Sequence, residues 1–125
     1  MASGADFRFY REVYRGSALE ETEFPEAAAR AEDLLAEFQR SYRVSGSREA
    51  QAMAVCAMAE IMAYFDAAQN GEGGLRYAKV GSVSVSGKGI YSQVDISPKA
   101  QRRELYRAAG RYLEIYRGTG PSTPG

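Results

Sequence analysis

The sequence predicts a mainly α-helical protein, a small helical bundle with a β-hairpin tongue between its last two long helices. Apolar residues recur at three- and four-residue steps through most of the chain, which is typical of helices packed on a core. The apolar period changes to two within residues 75–96, as in strands. A length of 125 residues suits one domain. We expect that domain to span residues 1–118, with a flexible tail over 119–125.

The sequence of the first 40 residues predicts a short N-terminal arm followed by an amphipathic helix. An aromatic cluster stops at Gly16, which favours a short helix or an ordered arm docked on the body. A helix is expected over about 22–40, with Thr22 as its cap and Pro25 tolerated in the first turn. Its predicted buried face carries Phe24, Ala28, Ala31, Leu35 and Phe38.

The second long helix is predicted from about Arg48 to Gln69 and is the most apolar segment of the chain. Its apolar side chains cover far more than one stripe, so it is either the centre of the bundle or a surface covered by a neighbouring copy. Apart from its termini, the helix leaves only four polar side chains: Glu49, Gln51, Glu60 and Asp66. Cys56 is expected to act as a small apolar group.

A β-hairpin is predicted over residues 82–96, where Gly87-Lys88-Gly89 separates two alternating segments. A lone hairpin is marginally stable in water, so it must lie on the helices, pair with another chain or form a mobile tongue.

The last long helix is expected to start at Ser97-Pro98 and to end near Arg117. Its apolar side carries Leu105, Ala108, Ala109, Tyr112, Leu113 and Tyr116. The opposite side is basic and carries Lys99, Arg103, Arg107 and Arg111. Such a row of cations can face DNA in a channel, bind an acidic surface of a partner, or form an ordinary solvated face of the helix.

The composition argues against an enzyme. Histidine is absent, which removes the commonest general base and the commonest ligand for transition metals. No catalytic or phosphate-binding motif is present, so we expect no metal and no cofactor. No apolar run approaches the roughly 20 residues that span a bilayer, and a secretory signal is lacking. We therefore expect a soluble protein that makes no membrane contact.

Charge is distributed unequally along the chain, although the net charge is zero. Residues 1–70 contain seven arginines and twelve carboxylates, whereas residues 71–125 contain nine basic residues and four carboxylates. If the fold separates these halves, the acidic side of one copy attracts the basic side of the next, as in a heterologous ring.

Three segments together resemble the small head-to-tail connector, or adaptor, family of tailed phages and phage-like gene transfer particles. They are the sequences of residues 54–65, 79–86 and 111–118: AVCAMAEIMAYF, KVGSVSVS and RYLEIYRG. The resemblance implies a virion structural protein at the head–tail junction, synthesised in the host cytoplasm. It implies a dodecameric ring seated on the portal protein and followed by the next head–tail joining (stopper) protein, with DNA passing through.

The resemblance also implies subunit or partner contacts at a set of apolar and basic residues: Val83, Val85, Lys88, Ile90, Tyr91, Val94, Met58, Met62, Tyr116 and Arg117. It further implies that Lys99, Arg103, Arg107 and Arg111 face the channel or an acidic partner. The alternative is a small helical nucleic-acid-binding or regulatory module, which the basic last helix favours.

Overall fold

The computed structural model describes residues 4–69 and 97–116 and confirms a small, mainly helical bundle with a two-stranded antiparallel sheet. The elements in chain order are α1 (Phe7–Phe9), a π-helical turn (Tyr10–Tyr14), α2 (Phe24–Ser41), β1 (Arg43–Ser45), α3 (Arg48–Gln69), α4 (Pro98–Gly110) and β2 (Glu114–Tyr116). The predicted hairpin tongue over 82–96 and the predicted tail over 119–125 lie outside the described residues.

Helix α2 has the predicted buried face, but the prediction of its cap was wrong. The residue that precedes the helix is Glu23 and not Thr22. The Glu23 carboxylate accepts a hydrogen bond from the backbone N–H of Glu20 at 2.9 Å, which stabilises the turn before α2. The backbone N–H groups of Glu23 and Phe24 also bond to the Glu20 carbonyl. Thr22 is therefore held inside a turn, one position too early to cap the helix. Pro25 lies in the first turn as expected.

Helix α3 occupies the centre of the bundle. Every residue from Ala54 to Ile61 is less than 5% exposed, and Cys56 lies among them as a buried thiol. The helix packs against α2 on one side, α4 on another and the π-helical turn on a third. Other segments of the same chain thus cover α3. Its apolar surface is explained by its place at the centre of the bundle and does not require a neighbouring copy.

Two ion pairs fix how the long helices run. Arg30, early in α2, pairs with Asp66, late in α3, at 2.7 Å, so these helices run in opposite directions. Arg102, early in α4, pairs with Glu37, late in α2, at 2.9 Å. Tyr106, one turn further along α4, contacts the ring of Tyr42 just beyond the end of α2. Helices α2 and α4 therefore run in the same direction.

Helix α4 begins as predicted and ends earlier than predicted. The Ser97 hydroxyl accepts the N–H of Ala100 at 3.2 Å, and Pro98 is the first helical residue. The helix ends at Gly110 and not near Arg117. A tight turn follows in which the N–H groups of Tyr112 and Leu113 both bond to the carbonyl of Ala109. The prediction that Tyr112, Leu113 and Tyr116 lie on the apolar face of this helix was therefore wrong, because all three follow its last residue.

The turn after α4 leads into strand pairing that the sequence did not reveal. Strand β2 lies antiparallel to β1, with Val44 opposite Ile115 and Arg43 opposite Tyr116. Leu113 is buried against Gly46, where a side chain would collide with the leucine. The sheet therefore joins the end of α2, the start of α3 and the end of α4.

The N-terminal arm is anchored by the ring of Tyr10. This ring is fully buried and stacks on Phe24, with centroids 5.0 Å apart, and on Tyr14, at 5.8 Å. The π-helical turn ends at Arg15 in the left-handed conformation, with φ of 66°. The next residue, Gly16, lies directly on the Tyr10 ring. The predicted arm is thus present and docked, with an aromatic side chain at its centre.

We predict that Gly16→Ala destabilises the protein because its methyl group would occupy the space of the Tyr10 ring. Overpacking of this kind costs about 1–3 kcal/mol, to be measured by urea unfolding. Gly110→Ala is the matched control. No atom lies within 4 Å of a methyl group at that helical position, so it should be neutral or stabilise by roughly 0.5–1 kcal/mol. Equal effects of the two variants would contradict the prediction.

Candidate interaction surface

The exposed face of α4 presents the predicted row of cations. Burial of Ala100, Leu105, Ala108 and Ala109 against the bundle turns the opposite side of the helix to solvent. Lys99, Arg103 and Arg107 are exposed there, and Arg111 extends the row at the helix terminus. Spacings of four residues place successive members about one turn apart.

Only one member of this row has an ion pair within residues 4–69 and 97–116. Arg107 pairs with Glu104 of the same helix at 3.1 Å, and the side chain stays 56% exposed. An exposed pair of this type contributes about 0–1 kcal/mol and leaves the guanidinium open to other anions. Lys99, Arg103 and Arg111 have no ion pair in the described part of the chain. The row can therefore bind carboxylate or phosphate groups from outside.

A different arginine of α4 sets the direction in which the row faces. Arg102 pairs with Glu37 of α2, and its guanidinium lies 5.3 Å from the centre of the Phe38 ring. Tyr106 contacts the edge of the same ring, with centroids 5.7 Å apart. These contacts hold one flank of α4 against α2, so the cationic row faces outward.

One end of the bundle collects further arginines, a grouping that the sequence did not suggest. Helix α2 ends there, α3 begins there and α4 ends there, because the β1–β2 sheet joins the three termini. We define the arginine end as the five exposed arginines of these segments: Arg40, Arg43, Arg48, Arg107 and Arg111. Two exposed carboxylates, Glu49 and Glu114, lie in the same segments, so cations outnumber anions there. Tyr116, 48% exposed on β2, lies opposite Arg43 in the sheet.

The other end of the bundle, where α2 begins and α3 ends, is acidic. We define the acidic end as the exposed carboxylates Glu20, Glu21 and Glu26. The pairing of Arg30 with Asp66 marks the same region of α2 and α3. This separation of the two groups along α2, a helix of 18 residues or about 27 Å, differs from the one expected between the two halves of the chain, because Arg40, Arg43 and Arg48 belong to residues 1–70.

A buried polar cluster lies beneath the N-terminal arm. Glu60 of α3 is 4% exposed and accepts hydrogen bonds from the hydroxyls of Tyr10, at 2.8 Å, and Tyr14, at 3.3 Å. The Tyr10 hydroxyl also accepts the backbone N–H groups of Ala18 and Leu19, both at 2.9 Å. The cluster therefore fastens the arm and the loop after it to the central helix.

Burial governs the ionisation of this cluster. Loss of hydration raises the pKa of Glu60 above its ordinary value, although the two tyrosine hydrogen bonds oppose the increase. Burial and the nearby Glu60 carboxylate also raise the pKa of the Tyr10 hydroxyl. Burial raises the pKa of the Cys56 thiol to about 12, which keeps it protonated and unreactive. The sequence identifies Glu60 only as one of the few polar residues of α3 and does not predict its tyrosine partners.

The predicted contact residues fall into three groups. Met58 is fully buried and Met62 is 9% exposed, so both belong to the core of their own chain and offer little surface to a partner. Tyr116 is half exposed, so its contact role stays a prediction. The remaining predicted contacts lie outside the described residues: Val83, Val85, Lys88, Ile90, Tyr91, Val94 and Arg117.

No protein-family model, curated protein or solved structure matches this chain. Within residues 4–69 and 97–116, no group of three or more thiol or carboxylate side chains is placed to hold a metal ion. Across the same residues, no helix combines the length and the apolar character needed to cross a membrane.

We predict that the stability of the protein falls as pH rises because of Glu60. A carboxyl whose pKa is raised by folding binds its proton more tightly in the native state, so its stabilising effect is complete below its unfolded pKa. That effect is lost as pH rises through the folded pKa, and the loss is about 1.4 kcal/mol for each pH unit that separates the folded and unfolded pKa values. Glu60→Gln cannot ionise and should not show this loss.

Urea unfolding of the wild type and Glu60→Gln between pH 4 and pH 9 measures this effect. As pH rises, the free energy of unfolding of the variant should increase relative to that of the wild type. Glu49→Gln, the same chemical change on the exposed first turn of α3, is the matched control and should follow the wild type. Parallel curves for the wild type and Glu60→Gln would disprove the prediction.

Proposed function

We propose that this protein is a head-to-tail connector, a virion structural protein that forms a ring on the portal and joins the DNA-filled head to the tail. The observation that carries the proposal is the outward row of cations on α4, which can bind anionic groups of another molecule. A face of this kind, on a bundle whose central helix is already covered by its own chain, suits an adaptor whose work is contact with other proteins.

The order of the segments that resemble the connector family supports the same function. The first segment, residues 54–65, belongs to α3 and supplies the centre of the bundle. The last, residues 111–118, begins at the end of α4 and includes β2. Residues 70–96 separate α3 from α4 and include the predicted tongue. In the proposed connector, this stretch reaches the neighbouring protein of the junction.

The cationic row also favours a second candidate, a small nucleic-acid-binding module. The two functions differ in their dependence on salt, because binding to duplex phosphates releases counterions and weakens steeply as salt rises. Fluorescence anisotropy with a labelled duplex, from 50 to 300 mM salt, separates them. A connector should bind duplex weakly, whereas tight binding with a steep salt slope by a strictly monomeric protein would favour the second candidate.

We predict that deletion of residues 82–93 abolishes the joining of tails to filled heads while the helical bundle still folds. The deletion removes the proposed contact segment and spares all the helices found in residues 4–69 and 97–116. Circular dichroism should show helical content close to that of the wild type. Electron microscopy of heads, tails and added protein should show free tails with the variant and joined particles with the wild type. Full joining by the deletion variant would disprove the role of the tongue.

Filled heads that carry the portal provide the direct test of the function. The wild-type protein should sediment with these heads and should be required for tail joining, whereas heads without portal should not bind it. If the protein fails to bind portal-bearing heads, the connector proposal is wrong.

A further inference from the structure

We propose that the arginine end of one copy docks on the acidic end of the next copy. The proposal names the contact between neighbouring copies within the connector ring, and in that sense it rests on the proposed function. The partner is therefore a second copy of this chain, recognised by carboxylates that its own sequence supplies.

The helix dipoles explain only part of the arginine end. Arg40 and Arg107 lie in the last turns of α2 and α4, where a cation offsets the negative end of the dipole. Arg48 is instead the first residue of α3, where the dipole disfavours a positive charge. Arg43 lies on a strand and gains nothing from a helix dipole. Helix dipoles therefore do not explain these two exposed arginines, whose guanidinium groups can pair with carboxylates of another molecule.

The composition of the arginine end is that of a protein contact. Arginine and tyrosine are enriched in the residues that contribute most to protein–protein binding, because a guanidinium pairs with carboxylates and an aromatic ring buries apolar area. Tyr116 supplies such a ring, half exposed, opposite Arg43. The Tyr116 hydroxyl donates to Glu114 of the same strand at 3.0 Å, which leaves the face of the ring open to a partner.

Charge complementarity identifies the occupant. The chain has sixteen basic and sixteen acidic residues, so copies do not repel one another as whole molecules. The exposed carboxylates Glu20, Glu21 and Glu26 lie at the end of the bundle opposite to the arginines. A contact between unlike ends is heterologous, so it continues from copy to copy and closes into a ring when the rotation between copies allows.

Charge reversal at each end tests the contact. The first variant, Arg43→Glu with Arg48→Glu, leaves three arginines against four carboxylates at that end, counting Glu49 and Glu114. Both ends are then acidic, and a carboxylate at residue 48 also suits the start of α3. The second variant, Glu21→Lys with Glu26→Lys, makes both ends basic. Circular dichroism and thermal unfolding first establish that both full-length variants fold.

Sedimentation velocity at 50 mM salt, over increasing protein concentration, then measures self-association. The wild type should increase in mass with concentration, and 500 mM salt should weaken this association because the charges are screened beyond about 3–10 Å. Each variant alone should associate at least about tenfold more weakly, since its two ends repel. An equimolar mixture of the variants should regain association, because unlike ends meet again.

A control reversal away from both ends is Asp33→Lys, on an exposed residue in the middle of α2. It should associate as the wild type does. The inference is overturned if the wild type stays monomeric throughout, if either reversed variant associates like the wild type, or if the mixture fails to recover. Binding of the arginine end to duplex DNA in place of a second copy would also overturn it.

The same variants separate this inference from the proposed function. A wild type that associates through its ends but does not bind portal-bearing heads leaves the inference standing and defeats the connector function. A wild type that joins heads to tails, while the reversed variants associate normally, defeats the inference alone.

Discussion

The hydroxyl of Tyr10 is the contact on which the arrangement of the bundle depends. It donates to the buried carboxylate of Glu60 and accepts two backbone N–H groups of the loop that leads to α2. One atom thereby satisfies three polar groups from two parts of the chain, each of which would be costly to bury without a partner. Burial of Glu60 is tolerable only because the arm provides its hydrogen bonds, and the arm stays docked because Glu60 provides an acceptor.

This contact explains why α3 can be apolar on nearly every side within a single chain. Helices α2 and α4 cover two sides of it, and the docked arm covers the region of Glu60. Gly16 lets the chain pass directly over the Tyr10 ring, and left-handed Arg15 turns it there. A bundle of three longer helices is thus closed by a short aromatic segment that has no long helix of its own. The apolar surface of α3 therefore no longer requires a neighbouring copy.

The sequence predicted those parts of the fold that depend on local periodicity. The apolar steps of α2 and the bounds of α3 follow from side-chain spacing along one helix, and the Ser97-Pro98 start of α4 follows from capping chemistry. The short strands could not be predicted, because β1 and β2 depend on pairing between segments far apart in the chain. The hydrogen bonds of Glu60 could not be predicted for the same reason, since its tyrosine partners lie 46 and 50 residues away. The arginine end likewise exists only after three helix termini meet at the sheet.

The distribution of charge bears on which partner the cationic surfaces meet. A domain that holds duplex DNA by its phosphates benefits from a net positive charge, which attracts the polyanion over long distances. This chain instead balances its cations with an equal number of carboxylates and places exposed members of the two sets at opposite ends of the bundle. Such a molecule has little net field at long range but strong complementarity at contact, where unlike ends of two copies meet. In a ring through which DNA must slide, weak affinity for phosphate is an advantage, so balanced charge suits the proposed connector better than a DNA-binding module.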